Sequence, residues 1–420
     1  MGYYCCIERF LMVTLRPHQQ RTTDVMVKHN KGIICAVTGA GKTLVGVADT
    51  IREFESETPK TVVVVSPRIL LAEQLSHEYL EFITNAKVFH CHSGETQWES
   101  STRPYEIRNW VDENKDSHKL IFTTYHSFSR LQQAEIEVDT VHMDEAHNSV
   151  QKHFFPAVEH FSKIAKRFYS YTATPKNSNV VGKPGMNWGE VYGQIIANVS
   201  GPEMVRGGYI VPPKVEVKQL PMVKGRQVIF DRDAENLIET IDDYGTTKAL
   251  ICAKTTKQII GLISETDFCK ELEDRGYSWM VITSKTGAII DGKKVNREQF
   301  FDVLNAWGKD NDKKFVVIHH SIICEGISVS GLDAVIFMRP MDYIGIAQSV
   351  GRIVRLHHDD AKGLAEGKIQ PGALGQYTKS FALCVIPVYT SVGISTARKV
   401  QAVVDTIFTK GEPCISTVSR

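Results

Sequence analysis

The sequence lacks three features that would indicate an extracellular or membrane protein. None of its nine cysteines forms a Cys-x-x-Cys pair, and their scatter is typical of the reduced thiols of an intracellular protein. No apolar run approaches the ~20 residues that a membrane-spanning helix needs. Glu8 and Arg9 interrupt the N-terminal apolar residues, so no signal peptide is predicted. We therefore expect an intracellular protein without a membrane partner.

The sequence also lacks an excess of either positive or negative charge. The 49 Lys and Arg residues nearly balance the 48 Asp and Glu residues, and the net charge is +1. Such a protein has no global positive field, so any nucleic acid must be bound by a local basic surface. The 420 residues, 42% hydrophobic and 23% charged, are typical of a globular protein of two or three domains.

A phosphate-binding loop is the strongest motif in the chain. A strand-like apolar run at residues 33–37 precedes it, and apolar residues with helical spacing follow it. The loop consists of Thr38, Gly39, Ala40, Gly41, Lys42 and Thr43. In this context the backbone N–H groups of the loop and the helix N-terminus face one point and hold an anion. Ala36 stands where the usual pattern has glycine. A loop without a ligand is the alternative, which Gly-Lys-Thr after an apolar strand disfavours.

Each residue type in the loop suits the binding of ATP with Mg²⁺. Gly39 and Gly41 permit positive φ angles and a close approach of the backbone to phosphate. We expect Lys42 to reach the β- and γ-phosphates and the Thr43 hydroxyl to be a ligand of Mg²⁺. Upstream, the amide of Gln19 is a candidate for contact with the adenine edge. An ordinary helix start is the alternative interpretation of that segment.

A pair of acids follows another strand-like run, about a hundred residues after the loop. Residues 141–143 lead into Asp144 and Glu145, which Ala146 and His147 follow. Ligands bind at the carboxyl ends of strands in open α/β sheets. Asp144 is therefore the candidate acidic partner of Mg²⁺, and Glu145 the candidate group that positions and activates the attacking water. An acid pair alone is common, but Asp-Glu-Ala-His after a phosphate loop indicates ATP hydrolysis.

Polar residues stand at the ends of other strand-like runs. Arg68 follows the run at residues 61–65, and Thr124 follows the run at residues 120–122. Both are candidates for contacts to the backbone of an anionic polymer. Capping of the following helices is an equally good interpretation. The Thr-Ala-Thr at residues 172–174 ends a further run and is expected to link the ATP site to the polymer.

With these motifs, the chain resembles a superfamily 2 helicase motor of the DEAH type, as in the motor subunits of type III restriction enzymes and related phage and viral DNA helicases. The resemblance covers most of the chain, from Leu15 to about Val388. Motifs I, Ia, II and III resemble residues 36–43, 66–68, 144–147 and 172–174. It implies an ATP hydrolase with two RecA-like lobes and an ATP cleft between them.

The second half repeats the α/β pattern without a phosphate loop. Pro212 and Pro213 interrupt the regular structure, and a strand-like run resumes at residues 215–217. Residues 226–244 are acidic and helical in pattern. Apolar strand-like runs recur at residues 248–253, 280–283, 315–318, 334–337 and 382–385. We predict an α/β fold of two tandem RecA-like, doubly wound parallel-sheet lobes, residues 1–211 and 212–420.

The second lobe carries residues expected at the nucleotide. Residues 348–355 resemble motif VI, in which Gln348 is expected to contact the nucleotide and Arg352 and Arg355 to share one helix face. The resemblance implies that Arg355, with Arg352 beside it, acts as an arginine finger on the γ-phosphate, worth roughly 10³–10⁵ in rate. A solvated basic helix face is the alternative.

Residues 324–328 resemble motif V, in which Gly326 is expected to contact nucleic acid. Two positions depart from the family pattern. Ser328 stands where aspartate is frequent, and Ser349 stands where arginine is frequent. Without the aspartate, Ser328 lacks an expected contact to the nucleotide or water. Without the arginine, Ser349 lacks an expected contact to nucleic acid or phosphate.

A further group, His90, Cys91 and His92, has the composition of a metal cluster. Metal sites in proteins need three or four ligands at suitable spacing. No residue nearby in the sequence completes this group. The sequence therefore predicts no zinc site there.

Three functions remain open from the sequence. An ATP-driven DNA helicase or translocase is favoured by Thr-Ala-Thr-Pro at residues 172–175 and by the resemblance to restriction motors. An RNA helicase with the same motor is the second. The third is an ATP-dependent clamp or switch that holds nucleic acid without unwinding it, against which the complete acid and arginine motifs argue. We expect a monomeric motor with accessory protein partners or a viral origin, which would place it in the host cytoplasm.

Overall fold

The computed structural model describes residues 13–220, 224–283, 286–320, 331–338, 341–389 and 394–419. These residues form two compact units. The first comprises residues 13–36, 40–199 and 415–419, and the second comprises residues 37–39 and 200–414. The predicted boundary after residue 211 stays a prediction.

The first unit is built on a sheet of eight parallel strands. These are β1 Lys31–Ala36, β2 Thr61–Ser66, β3 Ala86–Cys91, β4 Glu99–Ser100, β5 His118–Thr124, β6 Thr140–Met143, β7 Arg167–Thr172 and β9 Ile195–Val199. Their spatial order is β4-β3-β5-β2-β6-β7-β1-β9. A separate pair joins β8 Lys176–Ser178 to β18 Ser416–Val418.

Helices connect these strands. They are α1 Pro17–Lys28, α2 Lys42–Glu53, α3 Ile69–Leu80, α4 Pro104–Glu113, α5 Tyr125–Gln133, α6 Phe155–Ile164, α7 Gly189–Tyr192 and the 3₁₀ helix Ala146–Asn148. Parallel strands need such crossover connections, which cover both faces of the sheet.

Alternate residues along β2 show the two faces of this sheet. Val64 packs in one core cluster with Leu75 of α3. Its neighbour Val63 packs in another cluster, with Phe128 of α5 and Phe161 of α6. All six residues of β2 are buried. The valine run at residues 62–65 is therefore a central strand with helices on both sides, as its apolar composition predicts.

The second unit is built on another sheet of eight strands, parallel except at one edge. The strands are β10 Pro213–Leu220, β11 Lys248–Cys252, β12 Tyr277–Thr283, β13 Gly287–Ile290, β14 Lys293–Val295, β15 Lys314–His319, β16 Ala334–Phe337 and β17 Ala382–Tyr389. Their order is β10-β17-β16-β11-β15-β12-β13-β14. The edge strands β13 and β14 pair antiparallel.

Helices accompany this sheet as well. They are α8 Gly201–Arg206, α9 Arg226–Tyr244, α10 Thr256–Ser264, α11 Phe268–Asp274, α12 Arg297–Lys309, α13 Tyr343–Ile353, α14 His358–Ala365, α15 Ile394–Val404, the 3₁₀ helix Leu374–Gln376 and the π-helix Asp405–Lys410. None of the helices in the described ranges is both long and apolar enough to cross a membrane.

The predicted fold class is confirmed. Each apolar run that the sequence assigns to the second sheet lies in a strand, from β11 to β17. The acidic segment at residues 226–244 is the helix α9, and the strand that resumes after Pro212 is β10. Both units are thus doubly wound α/β structures, and the carboxyl ends of parallel strands carry the residues described next.

Candidate functional site

The predicted phosphate loop connects β1 to α2. β1 ends at Ala36, and α2 begins at Lys42. Gly39 and Gly41 adopt φ angles of 91° and 72°, in the region that favours glycine. A Cβ atom at Gly41 would lie only 2.3 Å from Nε2 of Gln19 and would displace that amide. The positive φ angle therefore favours glycine at Gly41, and a larger residue would also disturb the contact of Gln19 with the loop.

Two side chains of α1 hold the loop in place. The ring of His18 contacts the carbonyl oxygen of Ala40 through Nε2 at 2.9 Å. Nε2 of Gln19 donates to the carbonyl oxygens of Ala40 and Gly41 at 3.3 and 3.2 Å. In a trans peptide the following N–H points opposite to the carbonyl. The N–H groups of Gly41 and Lys42 therefore point away from α1, as an anion site needs.

The structure thus places the predicted Gln19 beneath the loop. Its Oε1 accepts from the backbone N–H of Arg16 at 2.8 Å, so both ends of the amide are bonded. Contact with adenine stays a prediction. The similar role of His18 was missed by sequence reasoning, although it stands beside Gln19 on the first turn of α1. Its side chain is buried, which its polarity did not suggest.

The acid pair follows β6, next to the loop. The backbone N–H of Asp144 donates to Val65 at 2.8 Å, and the hydroxyl of Tyr125 donates to the carbonyl oxygen of Asp144 at 2.8 Å. Glu145 adopts φ 45° and ψ 51° and precedes the 3₁₀ helix. Sequence reasoning missed Tyr125, which starts α5 and fixes the backbone of the acid pair.

The structure brings the acids together with the loop lysine. Nζ of Lys42 lies 3.8 Å from Oε1 of Glu145, and the two side chains are 12% and 17% exposed. Lys42, Thr43 and Asp144 line one small cavity. Burial raises the pKa of Asp144, and the carboxylate of Glu145 raises it further, whereas Lys42 opposes both. A cation would therefore be favoured beside Asp144.

The donor atoms at this position fit Mg²⁺. The ion prefers oxygen ligands, usually one or two from the protein together with phosphate oxygens. The carboxylate of Asp144 and the hydroxyl of Thr43 line the same cavity. Burial and the carboxylate of Glu145 raise the pKa of Asp144, so a bound cation would stabilise its charged form. The predicted metal ligands are thus adjacent.

A hydrogen-bond chain runs from the acid pair to β7. Nδ1 of His147 contacts Oγ1 of Thr172 at 3.1 Å, and Oγ1 of Thr172 accepts from the backbone N–H of Thr174 at 3.1 Å. Nδ1 of His147 also lies 3.5 Å from Oε2 of Glu145. The Asp-Glu-Ala-His and Thr-Ala-Thr motifs are therefore in direct contact.

The two residues predicted to contact a polymer differ in their surroundings. Arg68 is exposed at the start of α3. Thr124 is 3% exposed, and its hydroxyl caps α5 by accepting from the backbone N–H of Ser127 at 3.3 Å. Capping thus occupies the hydroxyl of Thr124, and its contact with nucleic acid stays a prediction. Gly326 lies outside the described residues.

The motif VI residues lie in the second unit. Gln348 and Arg352 are buried on α13, with 9% and 6% of their surfaces exposed. The expectation that Arg352 and Arg355 share one helix face is wrong, because α13 ends at Ile353 and Arg355 forms a β-bridge with Ile210. The roles of Gln348, Arg352 and Arg355 at the nucleotide stay predictions.

One buried lysine explains why α13 ends there. Nζ of Lys379 donates to the carbonyl oxygens of Leu332 and Arg355 at 2.7 Å each, and also to that of Ile353. The backbone N–H of Val211 donates to Val354 at 2.8 Å. These partners replace the hydrogen bonds that a longer helix would supply.

The first unit contains a stretch that matches a known protein family. Residues 12–177 match the family model described as "Type III restriction enzyme, res subunit". The match lies within the first unit, apart from residues 37–39. The matched stretch includes the loop, the acid pair and β7. No curated protein matches the chain by sequence.

Solved structures extend the likeness to the second unit. The "ATP-dependent Type ISP restriction-modification enzyme LlaBIII bound to DNA" superposes with a TM-score of 0.68 at 17% identity, over 97% of this chain and 32% of that one. A nuclease-deletion mutant of the Type ISP enzyme LlaGI, "in complex with a DNA substrate mimic", gives 0.65 at 19%, over 96% of this chain and 30% of that one.

A third structure, Mss116p "bound to ssRNA and AMP-PNP", gives a TM-score of 0.59 at 13% identity, over 97% of this chain and 75% of that one. The chain spans about a third of the length of the two restriction-modification enzymes. At these identities the likeness shows the fold alone, which consists of two RecA-like α/β units. The DEAH subtype and the viral resemblance stay predictions.

Proposed function

We propose that the protein is an ATP-dependent motor that acts on nucleic acid, with DNA as its polymer. One observation carries the proposal. The phosphate loop, the acid pair and the Thr-Ala-Thr motif lie in one contact chain, from Lys42 through Glu145 and His147 to Thr172. A purely structural loop would not need a lysine, two acids and a hydroxyl chain at the same strand ends.

Each residue of the first unit has a stated role in this proposal. The N–H groups of Gly41 and Lys42 hold the phosphates, and Nζ of Lys42 neutralises the β- and γ-phosphates. Thr43 and Asp144 would hold Mg²⁺, which neutralises phosphate charge when it is bound. Glu145 orients the attacking water and accepts its proton.

Arg352 and Arg355 supply further positive charge at the γ-phosphate in this proposal. Hydrolysis spreads negative charge over the transferred phosphoryl group, which a positioned arginine stabilises. Lys379 holds the backbone around Arg355 by donating to the carbonyl oxygens of Ile353 and Arg355. Hydrolysis releases the γ-phosphate, so its contacts with the arginines are lost. The protein then changes from one conformation to another, and this change moves it along the nucleic-acid strand.

Two kinds of likeness support DNA as the polymer. The family model is that of a restriction-enzyme subunit, and the two structures with TM-scores of 0.68 and 0.65 are restriction-modification enzymes bound to DNA or a DNA mimic. RNA is the alternative, which the Mss116p structure favours. Accessory protein partners remain part of the proposal.

The test is ATP turnover measured without polymer and with single-stranded DNA, forked duplex DNA and RNA, all at one low salt concentration. We expect DNA to stimulate turnover at least tenfold and RNA to have little effect. The Lys42→Ala variant should lose turnover in every condition while its circular dichroism stays unchanged. Stimulation by RNA alone would overturn the choice of polymer. Turnover that no polymer changes, together with tight ATP-dependent binding, would favour a clamp or switch.

A further inference from the structure

A second cluster of side chains lies away from the phosphate loop, where α3 packs on β3. Oε1 of Glu73, on α3, lies 3.1 Å from Nδ1 of His90 and 3.2 Å from Nε2 of His92. The two ring nitrogens lie 3.0 Å apart. Three atoms that can each bind a metal ion thus form a nearly equilateral triangle.

The size of this triangle matches the ligand spacing around one metal ion. Nitrogen and oxygen ligands bind Zn²⁺ at about 2.0–2.2 Å, and adjacent ligands at 90–110° are then about 3–3.5 Å apart. One ion above the triangle would therefore reach all three atoms with small adjustments. Two imidazoles and one carboxylate are a donor set that proteins use for zinc and related transition metals, whereas Mg²⁺ and Ca²⁺ prefer oxygen alone.

The burial of the cluster favours the form of histidine that binds metal. His90 and His92 are 0% and 3% exposed. Burial lowers the pKa of both rings. The rings of His92 and His77 lower that of His90 further, to about 3, whereas Glu73 opposes the lowering of the pKa of His92. Both imidazoles are therefore neutral at physiological pH and keep a lone pair. Oε1 of Glu73 is buried and accepts no hydrogen bond of good geometry from the described residues.

Cys91 is excluded from the cluster although it lies between the two histidines. Successive side chains of a strand point to opposite faces, and Sγ of Cys91 faces α5, where it contacts the carbonyl oxygen of Ser127 at 3.7 Å. The donor set is thus two nitrogens and one oxygen, without sulfur. The side chain of Glu73 is 20% exposed, although its Oε1 atom is buried between the two rings.

We propose that Glu73, His90 and His92 form a binding site for one divalent transition-metal ion, with Zn²⁺ as the preferred ion. The bound ion would connect α3 to the end of β3. Helix α3 begins directly after Arg68. Binding through Nε2 of His92 places its proton on Nδ1, so the 3.3 Å contact of that atom with the N–H of Gly94 must lengthen. Gly94 lies in the turn after β3, which can make this adjustment.

The first test is a titration of chelator-treated protein with Co²⁺ and then Zn²⁺, in excess Mg²⁺ so that the phosphate-loop site is occupied. We expect one equivalent of Co²⁺ to bind with visible d–d bands and without the thiolate charge-transfer band that cysteine ligands give. Zn²⁺ should displace it. Metal analysis of protein purified without chelator should find about one zinc per chain.

Variants give this test its specificity. His92→Gln and Glu73→Gln should weaken binding of Co²⁺ at least tenfold, and Zn²⁺ should no longer raise their thermal unfolding temperatures. Glu78→Gln on the same helix is the matched control and should bind like the wild type. Both ligand variants are close in shape to the original side chains, and circular dichroism will show that they fold. Absence of binding to the wild type, or equal affinity in the Glu73→Gln and wild-type proteins, would overturn the site.

Discussion

At the scale of single residues, Glu145 is the proposed base of ATP hydrolysis. Its carboxylate lies beside Lys42 and His147, at the end of β6. Glu145→Gln removes the proton acceptor but keeps the size of the side chain, so ATP should still bind. General-base catalysis contributes about 10²–10⁴ in rate, and we expect kcat to fall by at least 100-fold. Steady-state turnover and nucleotide-binding fluorescence measure the two effects.

Glu137→Gln is the control for that variant, since Glu137 is an exposed acid shortly before β6. It should turn over ATP at the wild-type rate. Normal turnover by Glu145→Gln would remove the assignment of Glu145 as the base and would leave Asp144 as the remaining acid of the motif.

A second prediction concerns Gln19, whose amide either supports the phosphate loop or contacts adenine. Gln19→Ala removes two hydrogen bonds to the loop carbonyls, each worth about 1 kcal/mol, so the affinities for ATP and GTP should both fall by up to roughly 30-fold. Competition binding with both nucleotides measures this. Gln20→Ala is the control, because Gln20 is exposed and its side chain donates to Asp24 on the same helix. A loss confined to ATP would show instead that the amide contacts adenine.

At the scale of elements, one arginine fastens α2 to the sheet. Arg167 of β7 donates to Asp49 at 2.5 Å and to Glu53 at 2.9 Å, and its guanidinium lies over the ring of Tyr169. Burial raises the pKa of Asp49, whereas the pair raises that of Arg167. The 2.5 Å contact between Arg167 and Asp49 is typical of a hydrogen bond between two charged groups. We therefore infer that the carboxylate of Asp49 is ionised.

Arg167→Met should leave the carboxylate of Asp49 buried without its partner. Breaking a buried pair in this way costs about 3–5 kcal/mol in the free energy of unfolding, which urea denaturation measures. Lys166→Met is the control, since the Lys166 side chain is 72% exposed and its pair with Asp139 should be worth at most about 1 kcal/mol. Equal losses in the two variants would mean that Asp49 is protonated in the folded protein.

The end of α13 yields a further prediction at this scale. Lys379→Met leaves three buried carbonyl oxygens without their donor and should displace Arg355. We expect kcat for ATP to fall at least tenfold while ATP affinity changes little, since the predicted role of the arginines is in the transition state. Lys368→Met, at an exposed lysine paired with Glu366, is the control. Wild-type turnover by Lys379→Met would contradict the positioning role.

The elements also show how far sequence reasoning reaches. The valine run of β2 and the glycines of the loop predict their structures, because burial on both faces and positive φ are demanded by those residue types themselves. The end of α13 was not predictable, since Lys379 comes 26 residues after Ile353. Glu73 was missed as a partner of His90 and His92 for the same reason: α3 and β3 meet only in the folded chain.

At the scale of the whole molecule, the near-zero net charge means that the proposed binding of nucleic acid must depend on a local surface. Each Lys or Arg contact to a single strand contributes about 0.7 to the slope of log affinity against log salt. Three such contacts would weaken binding roughly 18-fold between 50 and 200 mM salt, as fluorescence anisotropy can measure. Arg68→Ala should lower the slope by about one contact, and the exposed Lys87→Ala should not. A salt-independent affinity would contradict phosphate contacts altogether.

The left-handed backbone at Glu145 has a consequence for the history of this chain. A residue with a Cβ at φ 45° costs about 1–2 kcal/mol relative to the right-handed region, and glycine or asparagine at Glu145 would cost less. Replacement of Glu145 by glycine would therefore remove the acid and relieve the backbone strain at once. If Glu145 is the base, the chain keeps it at a cost in stability, and a descendant that no longer hydrolyses ATP would gain stability by losing this acid.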